Sequence, residues 1–395
     1  MKSLKTFSGN IMEWIRGKCF RTKTIIDKFN HETIAPDIDE AFSFFYKSII
    51  ADNLNIGLIC EKHLNTLEEV CFKYLTNHHD TETTRKYFKN LRFIWSHYIR
   101  NEMFSEAECY MDRILFSIIE FERQKNISVH KGPIYYFLGG THLMLGKTDS
   151  GFLLMHKSYD EDIRTGQPQP TPSLKFVSLN FQDPGQYFGF AVRAYADYLS
   201  RFFNSYRMAK VSYYNIEKFC STFLLANPDS DIVFSFTHVI AKLFHFSRLP
   251  IQTIMSNFAG QYKLNLLFDL ALIIENTLRL QHPDYQTRNL LFPELAENLA
   301  QSQNWNLTKG HLQGHLNQES TKDYTHCLES LLERQFKFKY KTSNVFLEND
   351  LGITYLIRNR GAHDLSSIKV ITLRFDEILQ SLFNILFLVA EEMYS

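Results

Sequence analysis

Apolar residues recur every three or four positions through most of the chain, as in AFSFFYKSIIADNLNIGLICEKHLNTLEEVCFKYL from Ala41, the period of a helix buried along one face. From Leu91 the stretch LRFIWSHYIRNEMFSEAECYMDRILFSIIEFERQ predicts a helix, a polar break at Asn101 to Met103 and a second helix starting near Ser105. Its bulky and small positions, Trp95, Tyr98, Phe104, Ala107, Met111 and Ile114, fall where two antiparallel helices must approach each other. The stretch YYFLGGTHLMLGKTDSGFLLMHKSYDED from Tyr135 repeats the scheme, with Leu138 and Gly139 in a first helix, Gly146 in the turn, and Gly151 and Met155 in a second helix. Between Arg164 and Gly185 four of the ten prolines interrupt the helical pattern, which predicts a long loop with one short extended piece at LKFVSLNF. Helices resume at Tyr187. The segment LNLLFDLALIIENTLRLQ from Leu264 reads as a strongly apolar helix with Asp269, Glu275 and Arg279 set into it. Glu275 and Arg279 are four apart, the spacing of an ordinary ion pair along one helix. The expected fold is all-α, with a domain boundary near FAGQYKLN, where Gly260 interrupts two apolar blocks. That division gives residues 1–257 and 258–395.

Composition agrees with long packed helices. Phe (35) and Tyr (20) are abundant while Gly (16) and Pro (10) are scarce, which does not suit a turn-rich β fold. An apolar share of 45% over 395 residues is ample for real cores. Formal net charge is zero, so no global field draws the chain to nucleic acid or anionic membrane, and any such attraction is local. Six cysteines, Cys19, Cys60, Cys71, Cys109, Cys220 and Cys327, contain no C-x-x-C pair and read as reduced, buried thiols of a cytosolic protein. The first 30 residues carry seven Lys/Arg against Glu13 and Asp27, without the apolar core or cleavage site of a signal peptide. The longest apolar run, ILFLVA at Ile385 to Ala390, is far short of the roughly 20 residues that cross a bilayer. A cytoplasmic protein without a membrane segment is expected.

Few stretches carry chemistry. HLQGH sets His311 and His315 at helical i,i+4 spacing, but the metalloprotease version needs Glu directly after the first His and Leu312 stands there. That stretch, and NHHD at Asn77 to Asp80, give no reason to expect a metal, and no cofactor is expected either. No phosphate-binding glycine loop, dinucleotide fingerprint or G-x-S-x-G elbow occurs. RQFKFKYKT, Arg334 to Thr342, alternates Lys337, Lys339 and Lys341 with aromatics. If extended, the three lysines share one face suited to a phosphate backbone; if helical, they spread around it. From Leu331 to Phe375 there are eight Lys/Arg against four Asp/Glu, a basic region in a neutral chain.

Within that region lies YLIRNRGAHDL, Tyr355 to Leu365. A guanidinium that forks onto phosphate oxygens, beside an imidazole able to move a proton near neutral pH, suits phosphodiester cleavage by an internal 2′-hydroxyl without a metal. RNRGAH resembles the R-x4-6-H motif of the HEPN superfamily (higher eukaryotes and prokaryotes nucleotide-binding), including the Asn directly after the Arg and the small residue before the His. The resemblance covers the last 130 to 140 residues or so, with LNLLFDLALIIENTLRL as the first long helix. It implies a helical bundle that dimerises to form one RNA-cleaving cleft. Arg358 and His363 would be catalytic and Asn359 would orient them; Arg360 is not fixed by the pattern and is assigned only to substrate phosphate, while Lys337, Lys339 and Lys341, by their spacing, are candidate RNA contacts against the alternative of an ordinary solvated surface. The two helical hairpins upstream resemble tetratricopeptide repeats over about 75 residues, which implies a stacked array that binds a protein partner or restrains activity. The expected architecture is thus a helical-hairpin repeat array followed by a HEPN-like bundle, and the expected function a defence or toxin-type endoribonuclease. A non-enzymatic helical scaffold that binds RNA or a protein partner is the alternative.

Overall fold

The computed structural model describes residues 92, 95–96, 98–99, 102–180, 188–206, 215–249, 257–280, 290–305, 307–335, 345–360 and 368–394. Every element among these described residues is helical, as the apolar periodicity requires. The long segment from Ala41, the NHHD stretch and Cys19, Cys60 and Cys71 lie outside them. The chain divides into two compact units, Met1–Phe176 with Gln186–Phe190 and Val177–Gly185 with Ala191–Ser395. The position near residue 258 falls inside the second unit, where the Phe246 ring on one side of it lies 5.2 Å from the Tyr262 ring on the other.

In the first unit a helical stretch carrying Trp95 and Tyr98 leads into α1 (Phe104–Lys125), α2 (Gly132–Met144) and α3 (Thr148–Arg164). The expected break is a reversal in which Glu102 takes a left-handed φ of 63°. The amide of Met103 then donates to Tyr98 O and that of Glu102 to Ile99 O, which satisfies carbonyls the helix end would leave open. The same device closes α2, with Gly146 at φ 77° and the Lys147 amide bonded to His142 O. Hairpin α2/α3 therefore forms where the glycines predict it. Gly139 and Gly151 face each other so closely that a Cβ on Gly151 would lie 3.1 Å from Gly139 O and 2.7 Å from Leu143 Cδ2. One residue on, Gly140 makes room for Phe188, whose ring centroid lies 5.8 Å from Trp95 and 5.2 Å from Tyr136. The Trp95 indole N–H, buried among these rings, donates to Thr141 Oγ1 at 2.8 Å, and that hydroxyl donates to Phe137 O. Each such buried ring contributes about 1.5–3 kcal/mol by leaving water.

Charge is also buried here. The Lys131 ammonium pairs with Glu122 and with Glu161, the latter at 3.1 Å, while Arg164 forks onto Glu161 at 2.9 and 2.8 Å. Burial alone would raise the Glu161 carboxyl, but the Arg164 hydrogen bonds and the Lys131 charge outweigh it and hold it at about 2. At the other end of the hairpin Glu108 of α1 meets His142 Nε2 at 2.9 Å and the Lys147 ammonium, and His142 Nδ1 lies 2.8 Å from Ser150 Oγ. These contacts tie α1, α2 and α3 together at both ends.

Two expectations need correction. The LKFVSLNF piece is not extended, since α4 (Pro172–Val177) takes its first half. Proline is tolerated at a first helical position, and Thr171 caps the turn, its Oγ1 accepting from the Leu174 amide at 3.2 Å. Cys109 is exposed on α1, because it sits two residues from the buried Ala107 and Met111 on the opposite side of the helix. Cys220 and Cys327 are buried as expected, and burial, with Glu217 nearby, pushes the Cys220 thiol up to about 12.

The second unit contains α5 (Gly189–Ser205) from Ala191 onward, α6 (Ile216–Phe219) running into a π turn at Cys220–Leu225, α7 (Ser230–Arg248), α8 (Asn257–Leu280) and α9 (Phe292–Ser302). A π turn at His311–Leu316 leads to α10 (Asn317–Lys322), α11 (Tyr324–Leu332), α12 (Val345–Arg360), α13 (Ile368–Leu373) and α14 (Phe375–Tyr394). Helix α14 carries the exposed Asp376 and Glu377 in its first turn and becomes apolar all round from Ile385 to Ala390, where every residue is buried, so that stretch belongs in the interior. Its Phe387 ring lies 4.9 Å from Phe203 and 5.2 Å from Phe219. Helices α8 and α12 both pack on α14 and on each other. No helix among the described residues is long and apolar enough to cross a membrane.

Two outcomes follow. Gly140→Ala should lower stability by about 1–3 kcal/mol, because its Cβ would fall 1.7 Å from Phe188 Cζ, whereas Gly189→Ala, with open space around its Cβ, should be neutral or stabilising. Thermal melts of the two variants check this, and equal melting temperatures would refute the close approach. Because the folded Glu161 carboxyl titrates at about 2, below its ordinary value, its stabilisation is complete above that ordinary value and is lost as pH falls through 2. Glu161→Gln should therefore cost about 3 kcal/mol at pH 7 and progressively less below pH 4.5, read from denaturant midpoints across that range. A stability difference that does not shrink with pH would show that the charge is not its source.

Candidate functional site

The apolar lead-in LGITYLI, Leu351 to Ile357, is a fully buried stretch of α12. Tyr355 stacks on Phe292 of α9, with ring centroids 6.2 Å apart and planes 11° apart. Arg358 is the next residue, in the last turn, where the helix returns to solvent after its buried middle. Its side chain is 34% exposed. The guanidinium lies against α8, where Nε donates to Glu275 Oε2 at 2.6 Å and Nη2 to Oε1 at 3.4 Å. Nη1 donates to the side-chain oxygen of the neighbouring Asn359 at 3.2 Å. A fork on one edge and an amide on the other leave this side chain little rotational freedom.

Glu275 is the centre of the arrangement. Its side chain is 3% exposed, and a carboxylate so buried requires compensation by cations or hydrogen bonds. Arg279, four residues on, supplies one at 2.6 Å, which is the pair expected from the i,i+4 spacing. The second comes from Arg358, 83 residues away. Sequence reading missed this contact. The signal for it was an acidic residue in a strongly apolar stretch of helix, and that does not name a partner.

The opposite end of α12 is held in a similar way. Asp350 is buried, and Arg334 Nη1 reaches its Oδ1 at 2.5 Å while Asn384 Nδ2 of α14 donates to Oδ2 at 2.9 Å. Burial raises the Asp350 carboxyl, and Arg334 and the side-chain hydrogen bonds oppose it. Arg334 can reach because it takes a left-handed φ of 59° just past α11. Helix α12 thus carries a buried carboxylate–arginine pair near each end, and the second fixes Arg358.

Of the site residues expected from sequence, the structure brings Arg358 and Asn359 together with Glu275 and Arg279. His363 lies outside the described residues, as do Lys337, Lys339 and Lys341 and the side chain of Arg360, whose backbone closes α12. The HLQGH stretch forms the π turn, in which Leu312 and Leu316 are buried and His311 Nδ1 accepts from the Thr308 amide at 3.1 Å. Among the described residues no group of three or more His, Cys, Asp or Glu side chains is placed to hold a metal ion.

What the two arginines can do is bind an anion. Arginine is always charged, with five N–H donors in a planar fork, and two guanidinium groups here share one carboxylate. The chain matches no protein-family model, no curated protein and no solved structure.

Proposed function

We propose that the protein is a metal-independent endoribonuclease of HEPN type, with the Arg358/His363 motif as its catalytic pair and Asn359 as the residue that orients the arginine. The observation that carries this reading is the state of Arg358: a guanidinium pinned by a buried carboxylate and an adjacent amide, in the last turn of an apolar helix, with about a third of its side chain facing solvent. A preorganised cation with N–H groups that bond nothing among the described residues is what a phosphorane needs, because the protein then reorganises little as the negative charge develops.

In the proposed reaction the ribose 2′-oxygen attacks the adjacent phosphorus and loses its proton. The P–O5′ bond breaks, and the departing 5′-oxygen takes up a proton. His363 serves one of these two proton transfers and Arg358 the equatorial phosphate oxygens. The products carry a 2′,3′-cyclic phosphate and a 5′-hydroxyl. Arg360 and Lys337, Lys339 and Lys341 are assigned to the substrate backbone. The glycine-lined hairpin α2/α3 supports a tetratricopeptide-like, partner-binding role for the upstream region, in a cytoplasmic, homodimeric protein of defence or toxin type.

A second reading has one observation in its favour. Arg358 already has a carboxylate partner, as a purely structural interhelical pair also requires. On that reading the chain is a non-enzymatic scaffold that binds RNA or a protein.

Labelled single-stranded RNA incubated with the protein in EDTA separates the two. The parent should cleave it and leave cyclic-phosphate ends, and Arg358→Ala or His363→Ala should lower the rate by a factor of at least about 100 without loss of helical circular dichroism. Equal cleavage by parent and both variants would sink the enzymatic assignment. Binding without turnover, fading with salt, would leave the scaffold.

A further inference from the structure

Glu275 collects more positive charge than its burial requires. One guanidinium would neutralise it, and Arg279 already does so from the same helix at 2.6 Å. Arg358 adds a second, so the cluster of one carboxylate and two guanidinium groups carries a surplus unit of positive charge. Both arginines touch the same oxygen, Oε1, which brings two like charges close together. Both are only partly covered, with Arg279 28% and Arg358 34% exposed. Among the described residues Arg279 uses one of its five N–H donors and Arg358 three. Each arginine also lies in the last turn of its helix, α8 or α12, where the carbonyl end of the helix favours a cation. That preference accounts for a positive group at each end, but not for the convergence of both on one buried acid.

We infer that Arg279 and Arg358 together form a two-arginine seat for a phosphodiester group of RNA, with Glu275 as the positioning residue that holds the two guanidinium groups at a fixed spacing. A phosphodiester carries one negative charge and two free oxygens, so it matches the surplus charge and offers an acceptor to the remaining N–H donors of each guanidinium. The seat rests on the ribonuclease reading for the identity of its ligand. It adds Arg279, from a helix outside the motif, as a residue that touches substrate. Glu275 acts through the arginines, since its oxygens face them and a carboxylate would repel the phosphate.

The test uses the full chain and a 2′-O-methyl RNA oligonucleotide, which binds but lacks the attacking hydroxyl. Fluorescence anisotropy over a series of salt concentrations should show Arg279→Ala binding about tenfold more weakly, with the log–log salt slope smaller by about 0.7, the loss of one phosphate contact on a single strand. Arg279→Lys should recover part of the affinity, since it restores the charge without the fork. On cleavable RNA, Glu275→Gln should lower kcat while KM stays the same or falls, because it frees Arg358 from its clamp and adds net positive charge. A merely structural role would not produce that split. Glu275→Asp keeps the charge but draws the carboxylate back by one methylene, and should lower kcat in the same way if the Gln variant does not fold. Arg279→Ala binding with the parent's affinity and salt slope would overturn the seat even if Arg358→Ala abolishes cleavage. No cleavage by the parent, with binding that still depends on Arg279, would overturn the ribonuclease reading and leave the seat standing.

Discussion

The desolvation of two carboxylates governs the second unit. Asp350 and Glu275, two of the four carboxylates buried among the described residues of this bundle with Glu348 and Glu391, each draw in an arginine from outside their own helix. Removing one partner of such a pair typically costs about 3–5 kcal/mol, because a charge is left in a medium that solvates it poorly. Helix α12 carries Asp350 near its start and Arg358 in its last turn, so these two pairs fix its position along the bundle as well as its rotation. Apolar packing alone would be more permissive, since hydrophobic contact is not directional.

Fixing α12 also fixes the chemistry offered at its end. Arg358 would be mobile if it emerged from the helix without a partner, and an anion would then have to order it on arrival. Glu275 removes that cost in advance, and Asn359 covers a further donor. The same contact has a structural use, since it ties α8 to α12. Both uses draw on one ion pair. What separates an enzyme from a scaffold is whether the open side of the guanidinium acts on a phosphate.

The first unit solves a related problem with different residues. Its hairpin α2/α3 closes through glycines that let two backbones approach, and an aromatic cluster around Phe188 fills the space beside Gly140. Lys131, Glu122, Glu161 and Arg164 form a charged set at one end, with Glu161 held well below the usual carboxylate range. Much of this was legible in advance. Gly139, Gly146 and Gly151 marked the hairpin, because glycine has a specific use at a left-handed turn and at a close helix crossing. The α4 segment was not, because clustered prolines read as loop, whereas Pro172 occupies the first position of a helix capped by Thr171.

The sequence by itself determined the helical class, the hairpin turn, the buried lead-in to Arg358 and the Glu275–Arg279 pair. Each of these is a local property, set by a period of three to four residues or by a single glycine or proline in its turn. Only the tertiary structure decided that Glu275 also takes Arg358, that Asp350 takes Arg334 and Asn384, and that Gln186–Phe190 joins the compact unit that ends at Phe176. Those facts depend on which helix faces meet after folding. A carboxylate attracts any cation brought near it, so its place in the chain does not reveal which arginine, 83 residues away in the case of Arg358, will arrive.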